Sequence, residues 1–525
     1  YRNNSIKTER DFPMNKTQLK WSALSVLFFS FITHGYRFFN NMYSHDALLM
    51  VYQGDFAWQI ALGRFLQPLL LFFRGSLCNP WLISFCAVFW IFLSVYFLAE
   101  LLNIHHPAGI TLISGILICN MTTIVANASY LPWVDFYALS CFCAIFGIWC
   151  LKKGCAASRA QGWWYAFGVF FLVFSMGIYQ SYICVAIGLA MIDILADLRQ
   201  RETFRNTLKK VLCYVFSLLA AALLYYLAWK ILQNILHIWT ADGYNGLAEV
   251  GDYSDTSLFA VLANTYRQVF QYFWNPDTFK SLVYRNYSFM NIWQIILRFV
   301  NLMIFAFVLV QIIRANIRQK SLWWQDLLQA VILLLFPFGI NFVSFISKGM
   351  EQPLMIFAFS LVYLLALQLC ASLRRAMPAL FVVIPLGLLL WSNVVYANQV
   401  YLKKELQAEA TQAMLSRIVV SVESTENYVA GETPVAFSGN FQASDYLQEL
   451  ADFEEIAPYG MGKSTATYVG TDYALLKYLL NVNMNLTRIN TGEEEVKKQL
   501  DEMPCYPAQG SIRYIGETLV VKIAD

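Results

Sequence analysis

The sequence predicts a polytopic α-helical membrane protein with about eleven transmembrane helices, followed by a C-terminal extracytoplasmic domain of α/β or α+β type. Three observations predict it. Of the 525 residues, 58% are hydrophobic and only 14% charged, against about 25% charged in an ordinary soluble domain. Apolar runs of roughly 18 residues or more, the length that crosses a bilayer, recur before residue 398. From residue 399 onward 18 acidic residues face 10 basic ones, a balance of −8 that leaves +11 for everything before it. That basic surplus is the signature of membrane topology, and no basic tract suggests nucleic acid.

The apolar runs are 21–39, 81–102, 108–127, 133–151, 162–178, 181–197, 209–234, 291–314, 322–346, 353–373 and 377–397. They lead us to expect a leader or tag remnant (1–13), with Met14 looking like a natural start, a transmembrane part (14–397) and a soluble part (398–525). The first run follows Lys16 and Lys20 and is long enough to stay as a signal anchor. The hairpin 162–197 has short arms and turns at Gly177–Tyr182, so a re-entrant pair covered by outer loops is an open alternative. Of the eleven cysteines most sit inside apolar runs, Cys141, Cys143, Cys150, Cys184 and Cys213 among them, with no CxxC pair. Core packing is their expected role.

Orientation follows from the positive charges, which stay on the cytoplasmic side. The clusters are Lys16/Lys20, Lys152/Lys153/Arg159, Arg199/Arg201/Arg205/Lys209/Lys210, Arg314/Arg318/Lys320 and Arg374/Arg375. All face the cytoplasm only if the apolar stretch 57–73 does not cross. Polar residues through 44–74 (Asp46, Gln53, Asp55, Gln59, Arg64, Gln67, Arg74), with Pro68, fit helices lying along the outer surface instead. The N-terminus is then cytoplasmic and the C-terminal domain periplasmic or extracellular.

Four outward segments collect the polar side chains: 43–64, Asn127–Asp135, the loop 235–290, and Ser347–Gln352. Asp46 follows the first span, where a carboxylate is placed to take a proton from a substrate hydroxyl; capping a helix N-terminus is the alternative. Asp55 is the second carboxylate, and His45 a hydrogen-bonding neighbour. No second His or Cys stands at metal spacing. Asp135 lies at the outer end of a span, where ionisable side chains default to functional candidates; a cap or a contact with Tyr130 is the equal alternative. Arg64 and Lys348 are suited to a phosphate, Arg by a bidentate fork and Lys as a point charge. Arg64 could equally reach to lipid headgroups. Arg267 and Arg285 stand among Tyr266, Tyr272, Trp274, Tyr284 and Tyr287, a mixture that suits sugar and phosphate but also an interfacial belt.

Ser44-His45-Asp46, then Gly54-Asp55, Trp58 and Gly63-Arg64, resemble the first outer loop of the bacterial serotype-converting glucosyltransferases, which modify O-antigen and related polysaccharides. The turn Tyr179-Gln180-Ser181 and the C-terminal domain after the last span resemble that group too, and the whole plan resembles the GT-C superfamily. The likeness covers about residues 14–400. It implies an inverting enzyme in the bacterial inner membrane that moves a hexose, glucose being the expected one, from a polyprenyl-phosphate carrier to a polysaccharide or glycolipid. Asp46 would be the general base, Arg64 and Lys348 would stabilise the leaving phosphate, and His45, Asp135, Tyr179, Gln180, Arg267 and Arg285 would line the substrate site. No cofactor is implied, and a divalent cation is left open. A paired acid is common in the family where this chain has His45-Asp46, which leaves open whether Asp55 supplies the second carboxylate.

In the C-terminal part, residues 400–420 and 493–502 read as helices, 472–480 as a third. Residues 433–438 read as a strand, and 511–515 with 518–523 as a hairpin around Gly516-Glu517. No nucleotide fingerprint is present; the part would bind acceptor polysaccharide or cap the site. Three other readings compete: a lipid-linked oligosaccharide flippase or transporter, for which the sequence lacks an internal repeat, a polysaccharide polymerase or ligase, and a non-catalytic scaffold.

Overall fold

A computed structural model of the chain describes residues 15–40, 56–75, 78–156, 161–200, 202–241, 257–274, 290–319, 322–349, 352–371, 377–448, 464, 475–490 and 492–525. Helices are numbered here in chain order. The first, α1 (Lys16–Phe39), starts where Asn15 accepts from the Gln18 amide. Its buried face carries Gln18, Ser22, Ser25, Thr33, His34 and Arg37, so a polar stripe inside an apolar helix faces protein. Two short helices follow, α2 (Ala57–Ala61) and α3 (Gln67–Arg74). At 1.5 Å per residue an eight-residue helix covers about 12 Å, and neither crosses a bilayer. Helix α3 buries Gln67 and Leu71 while Phe72 and Phe73 are 81% and 77% exposed, an apolar face turned outward as on a surface helix.

The central element is α7 (Val134–Ala156), entered through a 3-10 turn at Leu131–Trp133. It is buried along almost its whole length and packs between α4 (Pro80–Leu102) and α8 (Gln161–Ile178). Its crossing with α8 is tight: a Cβ on Gly147 would come within 3.1 Å of the Gly168 carbonyl oxygen. Small residues let membrane helices approach this closely. Helix α8 turns at Gln180–Tyr182 into α9 (Ile183–Arg199), and α10 (Phe204–Leu236) begins with Thr203 as its cap.

Among the described residues eight helices are long and apolar enough to cross a membrane. A ninth arises if α5 (Pro107–Ile118) and α6 (Met121–Ser129) form one span bent by 45°. The bend in the run 108–127 has a local cause: Asn120 caps α6 by accepting from Thr123 N at 3.0 Å, which ends α5. Likewise 353–373 is not one helix. Pro353–Met355 and Phe357–Ser360 are 3-10 turns, and only α15 (Leu361–Ala371) is regular. The run 322–346 splits at Asn341 into α13 (Trp323–Ile340) and α14 (Phe342–Ile346), after α11 (Leu258–Trp274) and α12 (Met290–Gln319).

One end of the bundle gathers an ion cluster. Lys152 of α7 and Lys210 of α10 both pair with Asp193 of α9, at 2.8 and 2.5 Å, and Lys210 also reaches Asp197. Lys152 donates to Leu101 O at the end of α4, and Gln18 of α1 to Tyr96 O of the same helix. The basic clusters that start α1, end α7 and start α10 therefore share one end, as the charge rule requires.

Helix α16 (Met377–Glu423) has 47 residues and runs unbroken across positions 397–398. Its far end packs Met414, Leu415, Ile418 and Val422 against Val435, Leu519, Val521 and Ile523, a hydrophobic core distinct from that of the bundle. Four strands build the sheet there in the order β2-β1-β4-β3, with β1 (Pro434–Ser438) parallel to β2 (Asn485–Leu486) and β4 (Thr518–Lys522). Strand β3 (Ile512–Ile515) closes the expected hairpin with β4, and α17 (Glu494–Asp501) is the expected charged helix. The described part of 472–480 is a π-helical turn, Leu475–Leu479.

Candidate active site

Opposite the ion cluster, the loop between α2 and α3 is clamped. Gly63 has φ +79°, a left-handed value that favours glycine. Around it the Gln180 side chain donates from Nε2 to Leu62 O at 2.6 Å and to the Tyr225 hydroxyl at 2.9 Å. Tyr225 donates to Gly63 O at 3.1 Å, and the Trp229 indole N–H to Ile60 O at 2.7 Å. Leu66 N bonds Gly177 O, and Gln67 Nε2 bonds Ile178 O. Thus Gly63-Arg64 and Tyr179-Gln180, separated by more than a hundred residues, meet in space. The Arg64 guanidinium stacks over the Tyr179 ring at 4.8 Å, and Tyr179 faces Tyr137 at 4.9 Å.

The segment Asn127–Asp135 is the second anchor. Three buried cations from three different helices end on it. Arg37 of α1 donates to Asn127 O at 3.0 Å, Lys404 of α16 to Ala128 O, and Arg74 of α3 to Pro132 O at 2.8 Å. The first two satisfy carbonyls at the C-terminus of α6, where the helix dipole favours positive charge. Arg74 also pairs with Asp135 at 2.6 Å and lies 4.6 Å over the Phe136 ring. Asp135 therefore has a partner neither sequence alternative named; the pairing spans 61 positions and leaves no local pattern to read. Behind the cluster, His34 contacts the Tyr401 hydroxyl at 2.6 Å and Ile118 O at 3.1 Å.

Arg267 and Lys348 form a third group. Arg267 donates to Asn264 at 2.6 Å, and the next residue, Gln268, donates to Gly349 O at 2.9 Å, so α11 carries the loop that holds Lys348. Lys348 itself has φ 54°. The chain then enters Pro353–Met355, which packs on the turn Gln180–Tyr182 and accepts from Thr122 at Pro353 O. Arg64, Asp135, Tyr179, Gln180, Arg267 and Lys348 thus belong to connected loops and helices at one end of the bundle, Arg267 on the helix α11 that stands within the expected loop 235–290. His45, Asp46, Asp55 and Arg285 lie outside the described residues. Asn40, the last described residue before them, accepts at its carbonyl from Arg37.

Tyr225 and Trp229 were not singled out in the sequence, because an aromatic pair inside an apolar helix reads as lipid-facing or core. Lys404, 4% exposed, and Lys403, fully buried, sit in the stretch 400–420, which reads from sequence only as a helix leading off the last span.

Against known families, a model described as Glucosyl transferase GtrII matches residues 35–368, well over half the chain. No curated protein and no solved structure matches.

Proposed function

Given that the chain belongs to the Glucosyl transferase GtrII family, we propose that it transfers glucose from a polyprenyl-phosphate carrier to an O-antigen-type polysaccharide or glycolipid on the outer face of the bacterial inner membrane. The observation that carries this reading is the clamp of Gly63-Arg64 by Tyr179, Gln180 and Tyr225. Two of the motifs that carry the family likeness are packed together, with a cation over an aromatic ring at their junction.

In the proposed topology eleven segments cross, including α1 and the irregular 352–371, and α2 and α3 rest on the outer leaflet. The reaction is one inverting displacement. The acceptor oxygen attacks the anomeric carbon, its proton passes to the Asp46 carboxylate, and the carbon–oxygen bond to phosphate breaks with its electron pair leaving on the polyprenyl phosphate. Asp55 is the reserve carboxylate and His45 orients its neighbour. Arg64 and Lys348 meet the growing phosphate charge, while Arg267, Arg285, Tyr179 and Gln180 line the sugar pocket. Asp135 serves by holding Arg74 and so fixing the end of the loop. No metal or other cofactor enters the scheme.

An in vitro transfer assay with polyprenyl-phosphate sugars tests it. Wild type is expected to transfer glucose, and Asp46→Asn to lose transfer while keeping its helical content. Absence of transfer from any lipid-linked donor would overturn the proposal.

A further inference from the structure

At the end of the bundle that holds the Lys152–Asp193–Lys210 cluster, a cavity of about 390 Å³ opens between α4, α9, α12 and α15. That volume is within the range of small-molecule sites. Its polar lining is Asn103 at the end of α4, Arg199 and Gln200 at the end of α9, Gln311, Arg314 and Arg318 of α12, and Gln368 of α15. Gln311, Arg314 and Arg318 stand three and four residues apart, so they share one face of their helix. No carboxylate is among the lining residues that are described. Gln368 is buried, and its side-chain oxygen has no hydrogen-bond partner among the described residues. A buried amide oxygen left without a partner is costly, and a hydroxyl donor in the cavity would relieve it. Beside the arginines, Leu309, Ile313 and Ile317 are about half exposed or more, an apolar strip of the kind that faces acyl chains. The far end of α9 carries the Gln180 turn; seventeen residues of helix separate the two, about 25 Å.

We propose that this cavity binds the phosphate of an anionic, hydroxylated phospholipid headgroup of the phosphatidylglycerol type. The arginines take the phosphate oxygens in charge-assisted bonds, Gln368 accepts a headgroup hydroxyl, and the acyl chains lie along the strip at Ile313 and Ile317. The site stands apart from Gly63-Arg64 and does not depend on the identity of the transferred sugar.

The test uses the full chain purified in detergent, exchanged into phosphatidylcholine nanodiscs doped with phosphatidylglycerol, and washed before lipid extraction and mass spectrometry. Wild type is expected to retain phosphatidylglycerol in preference to phosphatidylcholine. Arg314→Gln/Arg318→Gln is expected to lower that retention by about tenfold or more, each tenfold being about 1.4 kcal/mol. Gln368→Leu, which keeps every charge, should lower it less, and Arg205→Gln, an exposed arginine outside the lining, should leave it unchanged. Equal retention by wild type and both cavity variants overturns the proposal. So does displacement of the lipid by inorganic phosphate or glycerol phosphate alone, which would make the ligand a soluble anion.

Discussion

Replacing Gly63 by alanine sets a methyl group where the structure has none to spare. At φ +79° the left-handed backbone costs an L-residue roughly 1–2 kcal/mol. The new Cβ would also collide with the Tyr225 hydroxyl and come within 2.6 Å of Gln180 Nε2. Moving Gln180 aside gives up its bonds to Leu62 O and Tyr225, each worth about 0.5–1.5 kcal/mol. The sum is about 2–5 kcal/mol at the turn that positions Arg64. Expressed in the reaction at 1.36 kcal/mol per tenfold, that is a fall in kcat/KM between about thirtyfold and a few thousandfold. The assay is transfer of labelled glucose from its polyprenyl carrier, run beside thermal melting by circular dichroism. Tyr225→Phe added to Gly63→Ala removes the colliding hydroxyl and should recover part of the loss. Wild-type activity and melting temperature in Gly63→Ala would refute the clamp.

The Arg74–Asp135 pair is buried on both sides, with 7% and 4% of the side chains exposed. Arg74→Met should cost about 3–5 kcal/mol, whereas Arg74→Met with Asp135→Leu should cost clearly less, because no unpaired charge is left behind; melting of the detergent-solubilised variants decides it. Chelation by EDTA should leave glucosyl transfer unchanged, and a loss restored by a divalent cation would contradict the metal-free displacement. In the C-terminal sheet, Lys522 donates to Leu500 O and Met503 O. Lys522→Ala is expected to loosen α17 from β4, read as faster amide exchange over residues 494–503, at a cost of about 1–3 kcal/mol for the two stranded carbonyls. Unaltered exchange there would show that the contact contributes nothing.

What the sequence made legible follows from what each signal depends on. Long apolar helices, and the failure of 57–73 to form one spanning helix, were readable because both rest on local composition: Gln59, Arg64, Gln67 and Pro68 interrupt what would otherwise be a span. The C-terminal hairpin was readable from alternation around Gly516-Glu517. Breaks inside apolar runs were not, since Asn120 and Asn341 are single residues in long apolar stretches, and the 3-10 turns of 353–360 consist almost wholly of apolar residues. In the site, Gly63-Arg64 and Tyr179-Gln180, quoted for the family likeness, do meet. Their supports escaped notice because they come from distant helices: Arg74 for Asp135, Tyr225 and Trp229 for the Gly63 turn, Lys404 for the end of α6. Long-range pairing of this sort leaves no mark on spacing.

The most direct measurement of the central claim is single-turnover transfer from polyprenyl-phosphate glucose by wild type, Asp46→Asn and Asp55→Asn, each reconstituted in sealed vesicles with donor and acceptor on a known face. The account predicts transfer on the outer face only, reduced by about a hundredfold or more in Asp46→Asn, the scale on which a positioned general base contributes. Full activity of Asp46→Asn, or transfer confined to the cytoplasmic face, would contradict it.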